Sequence, residues 1–425
     1  MIQRRVRRSV GRILGPGHGA PAPVGTSAPR RLEELPRLVG GPSVRHDPAL
    51  DARPSLVVLM PHLSVATMTG GPNTVFQVTE RLAARGLAVR YVACFGPMDA
   101  EADGLRRHLA ELTGLAGSTG SEFVDRSAVG AELAIGAGDV VLATWWPTAH
   151  VALRALAVTA VDEFIYLIQD FEPGFHPWST KYALAAATYE MPFRAVVNEP
   201  TLLEHLREQG HLKFDIRDPA RAIAFMPAVD RAIFQAGERL PGRRRLVFYA
   251  RPKHPRNLFE LGLGALAAAV GQGAFDAEDW TFAAIGEETR GWSLAAGHTL
   301  DPVPRMTYRD YAAYLGESDI LLSLMLSPHT SYPPLEMAAA GGTVITNTFS
   351  TKTAAALAAI SSSIRGVPAD VDSLSAAIAQ AGREIGPGPR ATQPLTLPWS
   401  WTESLADVVP WLEATIAAAR RRTRS

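Results

Sequence analysis

Ser327-Pro-His-Thr-Ser-Tyr-Pro-Pro-Leu-Glu336-Met-Ala-Ala-Ala-Gly-Gly342 lies between two short apolar runs, Ser318-Asp-Ile-Leu-Leu-Ser-Leu324 and Thr343-Val-Ile-Thr-Asn347. Runs of that length and composition suit strands buried on both faces of a parallel sheet. Between them, Leu335 to Ala340 has the composition of a short helix, which Gly341-Gly342 ends. The order strand, loop, helix, strand is the unit of an open α/β sheet. Pro333-Pro334 suits the approach to a helix start, where a missing N–H costs nothing. Glu336 is expected in the first turn, where the helix dipole favours a carboxylate. It also faces the crevice at the carboxyl end of the preceding strand, the place where such sheets bind ligands. Two readings stay open for Glu336, an ordinary capping residue or a ligand contact. Ser327, His329, Ser331 and Tyr332 crowd the same loop, which a purely structural turn would not need.

Upstream, Arg245-Leu-Val-Phe-Tyr-Ala250 is a strand, followed by Arg251-Pro-Lys-His-Pro-Arg256-Asn257 and an apolar helix from Leu258 to Val270. Arg251, Lys253 and Arg256 thus stand in a strand-to-helix turn. Arginine guanidiniums fork onto phosphate oxygens, and a helix N-terminus adds its own N–H groups. Asn257 is the candidate N-cap. A cluster of solvated charges is the plain alternative. Trp280 to Ile285 is a further strand, Tyr308 to Leu315 a helix, Val371 to Ile385 a helix, and Trp399 opens a terminal amphipathic helix reaching Arg420. Asp215 to Gly242, with Pro219, Pro227 and Pro241 and no sustained periodicity, reads as a linker.

The first half repeats the pattern. Ser55-Leu-Val-Val-Leu-Met60 is a strand, Thr74 to Ala84 has helical apolar spacing, and Leu87 to Cys94 is the next strand. Gly70-Gly71 opens the helix, either as a tight turn or as a place where a ligand nears the backbone N–H groups. The turn is not G-x-G-x-x-G, and no acidic residue ends the second strand, which speaks against a dinucleotide. Asp139–Ala143, Phe164–Ile168 and Ala195–Val197 continue the alternation. Trp145 and Trp146 follow one strand; they either stack on a sugar ring or close the core. Gln169-Asp-Phe-Glu172 follows another. Asp170 and Glu172 there either hold or deprotonate substrate hydroxyls, or serve as caps and ion-pair partners.

The chain has 425 residues, 47% hydrophobic and 20% charged, which fits a globular protein of two or three domains. Basic and acidic side chains balance at 42 each, so no nucleic-acid partner is expected. Cys94 is the only cysteine and lies in an apolar run, which excludes an intramolecular disulfide and suits a reducing cytoplasm. No apolar run reaches the ~18 residues of a membrane span. Met1 to Arg31 carries seven arginines and no acid. It lacks the apolar segment of a secretory signal. Through Asp51 it reads as a disordered basic tail, either solvated or drawn peripherally to the anionic inner face of the cell membrane. There is no H-E-x-x-H, no cysteine cluster and no G-x-x-x-x-G-K-[ST], so no metal and no ATP hydrolysis is expected.

Gly70-Gly71 before a helix, Arg251 and Arg256 after a strand, and Glu336-Met-Ala-Ala-Ala-Gly resemble glycosyltransferases of the GT-B fold, closest to family 4. Arg256 stands at the Lys of that family's G-R-x4-K. The first Glu of its E-x7-E falls on Pro328, where His329 or Ser331 are the substitutes for a sugar-hydroxyl contact. The longer stretches Tyr249–Glu260, Ser327–Glu336 and Gln169–Pro173 resemble WsaF-type rhamnosyltransferases of S-layer glycan and rhamnan assembly, over about residues 52–410. The resemblance implies two Rossmann-like domains, 52–230 for the acceptor and 240–395 for the nucleotide sugar, facing a cleft, with the terminal helix (396–425) packing back on the first. It implies a dTDP-β-L-rhamnose donor, no obligatory metal or other cofactor, a glycan or lipid-linked glycan acceptor, and retention. On this reading Gly71, Arg251, Lys253, Arg256, Asn257, His329, Ser331, Tyr332 and Glu336 contact the donor. Trp145, Trp146 and Gln169 contact the acceptor, and Asp170, Glu172 and Arg251 act in catalysis. A donor carrying UDP or GDP, a GT-B epimerase and a non-catalytic glycan-binding module are the alternatives.

Overall fold

A computed structural model describes residues 39–65, 70–115, 121–212, 218–237, 243–276, 278–386 and 393–422. The first-half strands are β1 Ser43–His46, β2 Leu56–Met60, β3 Val89–Ala93, β4 Ser121–Asp125, β5 Glu132–Ile135, β6 Val140–Ala143, β7 Phe164–Ile168, β8 Phe193–Asn198 and β9 Ala222–Phe225. Those of the second half are β10 Arg244–Ala250, β11 Trp280–Gly286, β12 Trp292–Ser293, β13 Thr299–Pro302, β14 Ile320–Leu322, β15 Thr343–Asn347 and β16 Ile364–Val367.

Fourteen of them build two seven-stranded sheets, ordered β4-β3-β2-β6-β7-β8-β9 and β12-β13-β11-β10-β14-β15-β16, and β1 and β5 form a separate pair. Every pairing in the first is parallel; in the second only β12–β13 is antiparallel. Each sheet starts at an inner strand and winds outward in both directions. Its strand order therefore reverses beside β2 in one half and beside β10 in the other, and a crevice opens at each reversal.

The strand composition follows from burial on both faces. Leu56, Val58 and Met60 of β2 join one core with Val75, Phe76, Val78 and Leu82 of the Gly71–Ala84 helix. Val57 and Leu59 point the other way, toward Val141, Phe164 and Tyr166. The terminal segment joins the first of these cores. Leu405, Val408, Leu412 and Ile416 pack among the β2 side chains, and Arg420 donates to the Pro54 carbonyl at 2.9 Å.

Four expectations need correction. Residues 39–51 are ordered, because β1 pairs with β5 and Asp47 caps a turn at Pro48–Leu50; the rest of the basic tail, 1–38, lies outside the described residues. The supposed linker contains β9, which extends the first sheet beside β8. The terminal helix is two pieces, Trp401–Ser404 and Val408–Arg422. The helix carrying Glu336 spans Tyr332–Ala339, so the prolines are its second and third residues and Glu336 sits a turn in from its start. It does end at Gly341, at φ 79°, and a Cβ on Gly342 would meet Met337 at 2.0 Å. Among the described residues no helix is long and apolar enough to cross a membrane.

Candidate functional site

The β10 crevice collects the cations. Arg251 Nη2 lies 2.7 Å from His254 Nε2 and 3.6 Å from Glu287, and Glu287 also meets His254 at 2.7 Å. One carboxylate thus holds a turn that would otherwise be a knot of positive charge. The backbone N–H of Lys253 reaches Glu287 at 3.2 Å, and the Lys253 side chain is exposed at the rim. Half-buried Tyr249 has its phenol pushed up by burial and lies in the fields of Arg251, Glu336, Glu287 and Arg256 together. Those four groups therefore lie within electrostatic reach of its hydroxyl. Asn257 does not cap the following helix, which begins at Phe259 after Leu258 in a left-handed conformation at φ 51°. Its amide instead donates to the Leu324 carbonyl at 3.0 Å, tying the β10 loop to the β14 loop.

Glu336 is buried and accepts the Tyr311 hydroxyl at 2.8 Å. Burial pushes its carboxyl up to about 7, and the tyrosine bond works against that rise. A carboxyl balanced near neutrality can both accept from and donate to a hydroxyl.

The two crevices interlock. Asp170, at the end of β7, binds Arg256 with one oxygen and Ser327 with the other, and accepts its neighbour Phe171 N–H at 2.8 Å. Arg256 also rests over the Phe175 ring at 4.0 Å, a cation–π contact. Tyr332 Oη lies between Thr74 Oγ1 at 2.5 Å and Asn198 Nδ2 at 3.3 Å. Farther along, His205 meets Ser350 at 2.9 Å and Thr351 donates to the Thr201 carbonyl at 2.6 Å. Among the described residues no three His, Cys, Asp or Glu side chains gather as a metal site.

The comparisons fall on this frame. Residues 55–198 match the family model for the WsaF N-terminal domain, and residues 244–379 match that for the WsaF C-terminal domain. The chain belongs to the WsaF-type GT-B glycosyltransferases. The O-antigen biosynthesis protein RfbC of Myxococcus xanthus is 38% identical over 219 residues, 49% of this chain and 15% of that protein; the match thus spans a small part of the relative's length. Sucrose-phosphate synthase of Thermosynechococcus elongatus has the same fold, with a TM-score of 0.50, 14% identity, and coverage of 88% of this chain and 94% of that one. So does Anabaena HepE, solved in complex with UDP-glucose, with a TM-score of 0.53, 10% identity, and coverage of 87% and 98%.

In this WsaF-type protein the expected acceptor-side residues fare differently from the cations. Trp146 is buried, opening a helix and packing edge-on to His150 and His176, so it closes the core and does not stack on a sugar. Trp145 is half-buried against Phe95. Glu172 is buried, accepting the Trp146 N–H at 2.5 Å and the Tyr166 hydroxyl at 3.1 Å; burial pushes its carboxyl up to about 8. It anchors that helix start and does not face a substrate hydroxyl. Asp170 has both oxygens engaged, which makes it a clamp and not a free base. Gln169 has a buried Oε1 without a hydrogen-bond partner, 3.4 Å from where a Cβ on Gly71 would stand.

The WsaF-type site also holds residues that pattern reading misses. Lys352 is fully buried, donates to the Met325 carbonyl at 2.7 Å, and burial lowers its ammonium to about 8, with Glu199 and Asp170 opposing the fall. Nothing in Ser350-Thr-Lys-Thr353 announces it. Glu199, directly before Pro200 at a helix start, had a readable signal, a carboxylate at the end of the Ala195–Val197 run.

Proposed function

We propose that this glycosyltransferase moves L-rhamnose from dTDP-β-L-rhamnose to a hydroxyl of a growing cell-surface glycan, with retention. The placing of Arg251 and Arg256 in the turn after β10, at the strand-order reversal, with Arg256 held by Asp170 of the other half, carries this reading. The WsaF matches over both halves and the O-antigen relative support a surface polysaccharide as the product.

Arg251 and Arg256 neutralise the charge that grows on the departing diphosphate, the largest contribution such a site makes. Arg256 is held for this by Asp170. Glu336 takes a nucleotide-sugar hydroxyl, by analogy the ribose. The helix that starts at Gly71, after β2, offers its first backbone N–H groups to the same donor. With two guanidiniums supplied, the reaction needs no divalent metal. The acceptor is a free or lipid-linked glycan, met in the cytoplasm, with the arginines of residues 1–31 drawing the protein to the anionic inner membrane face.

A thermal-shift screen against dTDP, UDP, GDP and ADP, repeated with EDTA, tests the donor. A nucleotide at 100 times its Kd stabilises the fold by about 2.7 kcal/mol. A selective, EDTA-insensitive dTDP shift is expected. A shift with UDP alone replaces rhamnose by a UDP-sugar, and no shift with any nucleotide makes the chain a glycan-binding module. Turnover of the nucleotide sugar without acceptor makes it an epimerase. Sedimentation with anionic vesicles, lost on deleting residues 1–31, tests the membrane contact.

A further inference from the structure

Where the halves meet, Asn198 Oδ1, Glu199 Oε1, His329 Nε2 and Thr330 Oγ1 are buried and lack a hydrogen-bond partner. Their residues are 1%, 1%, 4% and 1% exposed. Two come from the end of β8 and two from the loop after β14, so each half supplies a pair.

Each side chain is aimed by its other atoms. Glu199 Oε2 accepts the Thr330 N–H at 2.8 Å and the Thr201 hydroxyl at 3.3 Å. His329 Nδ1 accepts the Ser331 N–H at 2.8 Å, which puts the ring proton of neutral His329 on Nε2. That Nε2 stands 3.3 Å from Glu199 Oε1, close enough for attraction but off the line a hydrogen bond needs. Asn198 Nδ2 is turned to Tyr332, which directs Oδ1 away from it. The backbone is strained on both sides, with Glu199 at φ 86° and Ser331 at φ 77°. Strain of this kind persists where a geometry is put to use.

The atoms form a mixed set: a carboxylate oxygen and an amide oxygen that accept, an imidazole N–H that donates, and a hydroxyl that does both. Phosphate offers mainly acceptors and would be repelled by Glu199. A ring hydroxyl both donates and accepts, and neighbouring hydroxyls on a pyranose match such a set.

We propose that Asn198, Glu199, His329 and Thr330 form a sugar-hydroxyl subsite shared by the two halves. The sequence pointed to His329 alone. The subsite rests on the sugar-transfer reading and names the group that reads the sugar ring. The transferred sugar and the terminal acceptor sugar present the same chemistry, and kinetics separate them.

The test uses the full chain with Glu199→Gln, which keeps an oxygen for the Thr330 N–H, and Thr330→Val, which keeps the shape. Affinities for dTDP and dTDP-rhamnose, with UDP and UDP-glucose as the second pair, are measured beside the acceptor KM. Unchanged nucleotide affinity with nucleotide-sugar affinity about 10–100-fold weaker assigns the subsite to the transferred sugar. A comparable rise confined to the acceptor KM assigns it to the acceptor. Variants that hold the nucleotide like the wild type and match it in both sugar measurements overturn the subsite and leave the transferase reading intact. A wild type that binds neither pair removes the transferase reading and the subsite with it. Loss of nucleotide affinity along with that of the nucleotide sugar also overturns it, since a ring subsite does not touch the nucleotide.

Discussion

The two halves share one winding pattern and carry opposite chemistry at the same place. At the β10 crevice the loops present guanidiniums, fed by Arg251 and Arg256 and steadied by Glu287. At the facing crevice the loops present acceptors and hydroxyls: Asp170, Asn198, Glu199 and Thr74. Among the buried glutamates, Glu172 of the first half and Glu336 of the second make a pair, each with its carboxyl pushed up by burial. Their surroundings separate their roles. Glu172 is spent on a backbone N–H and a tyrosine inside one half, whereas Glu336, on the helix after β14, accepts the Tyr311 hydroxyl on one oxygen. The same fold thus carries cations on one side and a set of carboxylates, amide and hydroxyls on the other.

Arg256→Ala breaks the contrast most deeply. It removes the proposed diphosphate contact and leaves Asp170 without its cation, so kcat/KM for the donor is expected to fall by about 10³. Steady-state kinetics checks this, and Arg256→Lys recovers only part of it. The paired glutamates come next. A buried carboxyl whose folded pKa is raised contributes its stability fully below its unfolded value and loses it as pH rises through the folded value. For Glu172 that window runs from 4.5 to about 8, for Glu336 from 4.5 to about 7. Glu172→Gln therefore gains stability over wild type as pH rises, by roughly 5 kcal/mol above pH 8, with nucleotide affinity untouched. Glu336→Gln gains less, levels off earlier and weakens nucleotide binding. Denaturation at a series of pH values, with nucleotide titrations, separates the two. Arg251→Ala, whose partners all lie in its own half, raises donor KM and lowers kcat by a combined ~10² without altering the contact between halves. Tyr332→Phe, deleting one hydroxyl of that contact, costs about 1 kcal/mol in denaturant unfolding.

The sheets were legible in the sequence wherever a strand is buried on both faces, because an apolar run bounded by turn residues has few other uses. Phe164–Ile168 and Thr343–Asn347 are such strands. Strands at or near the edges were not: Ser121–Asp125 and Thr299–Pro302 are partly exposed and polar, and Ala222–Phe225 hides among prolines. The cation turn could be read because its residues are neighbours in the chain. Glu199 and Thr330 are partners 131 residues apart, a pairing no local pattern reveals. Asn257 misled because a good capping residue loses its post when the next residue turns left-handed. Trp146 misled because a tandem Trp looks the same whether its ring meets a sugar or the protein's own histidines.

The terminal helix gives the chain an order of manufacture. Leu405, Val408, Leu412 and Ile416 complete the core that β2 begins. A ribosome makes β2 early and these residues only after the whole second half. The half that emerges first is therefore the half that closes last. Until then its apolar face lies open, and the nascent protein depends on its own tail, or on a chaperone in the interim, to cover it.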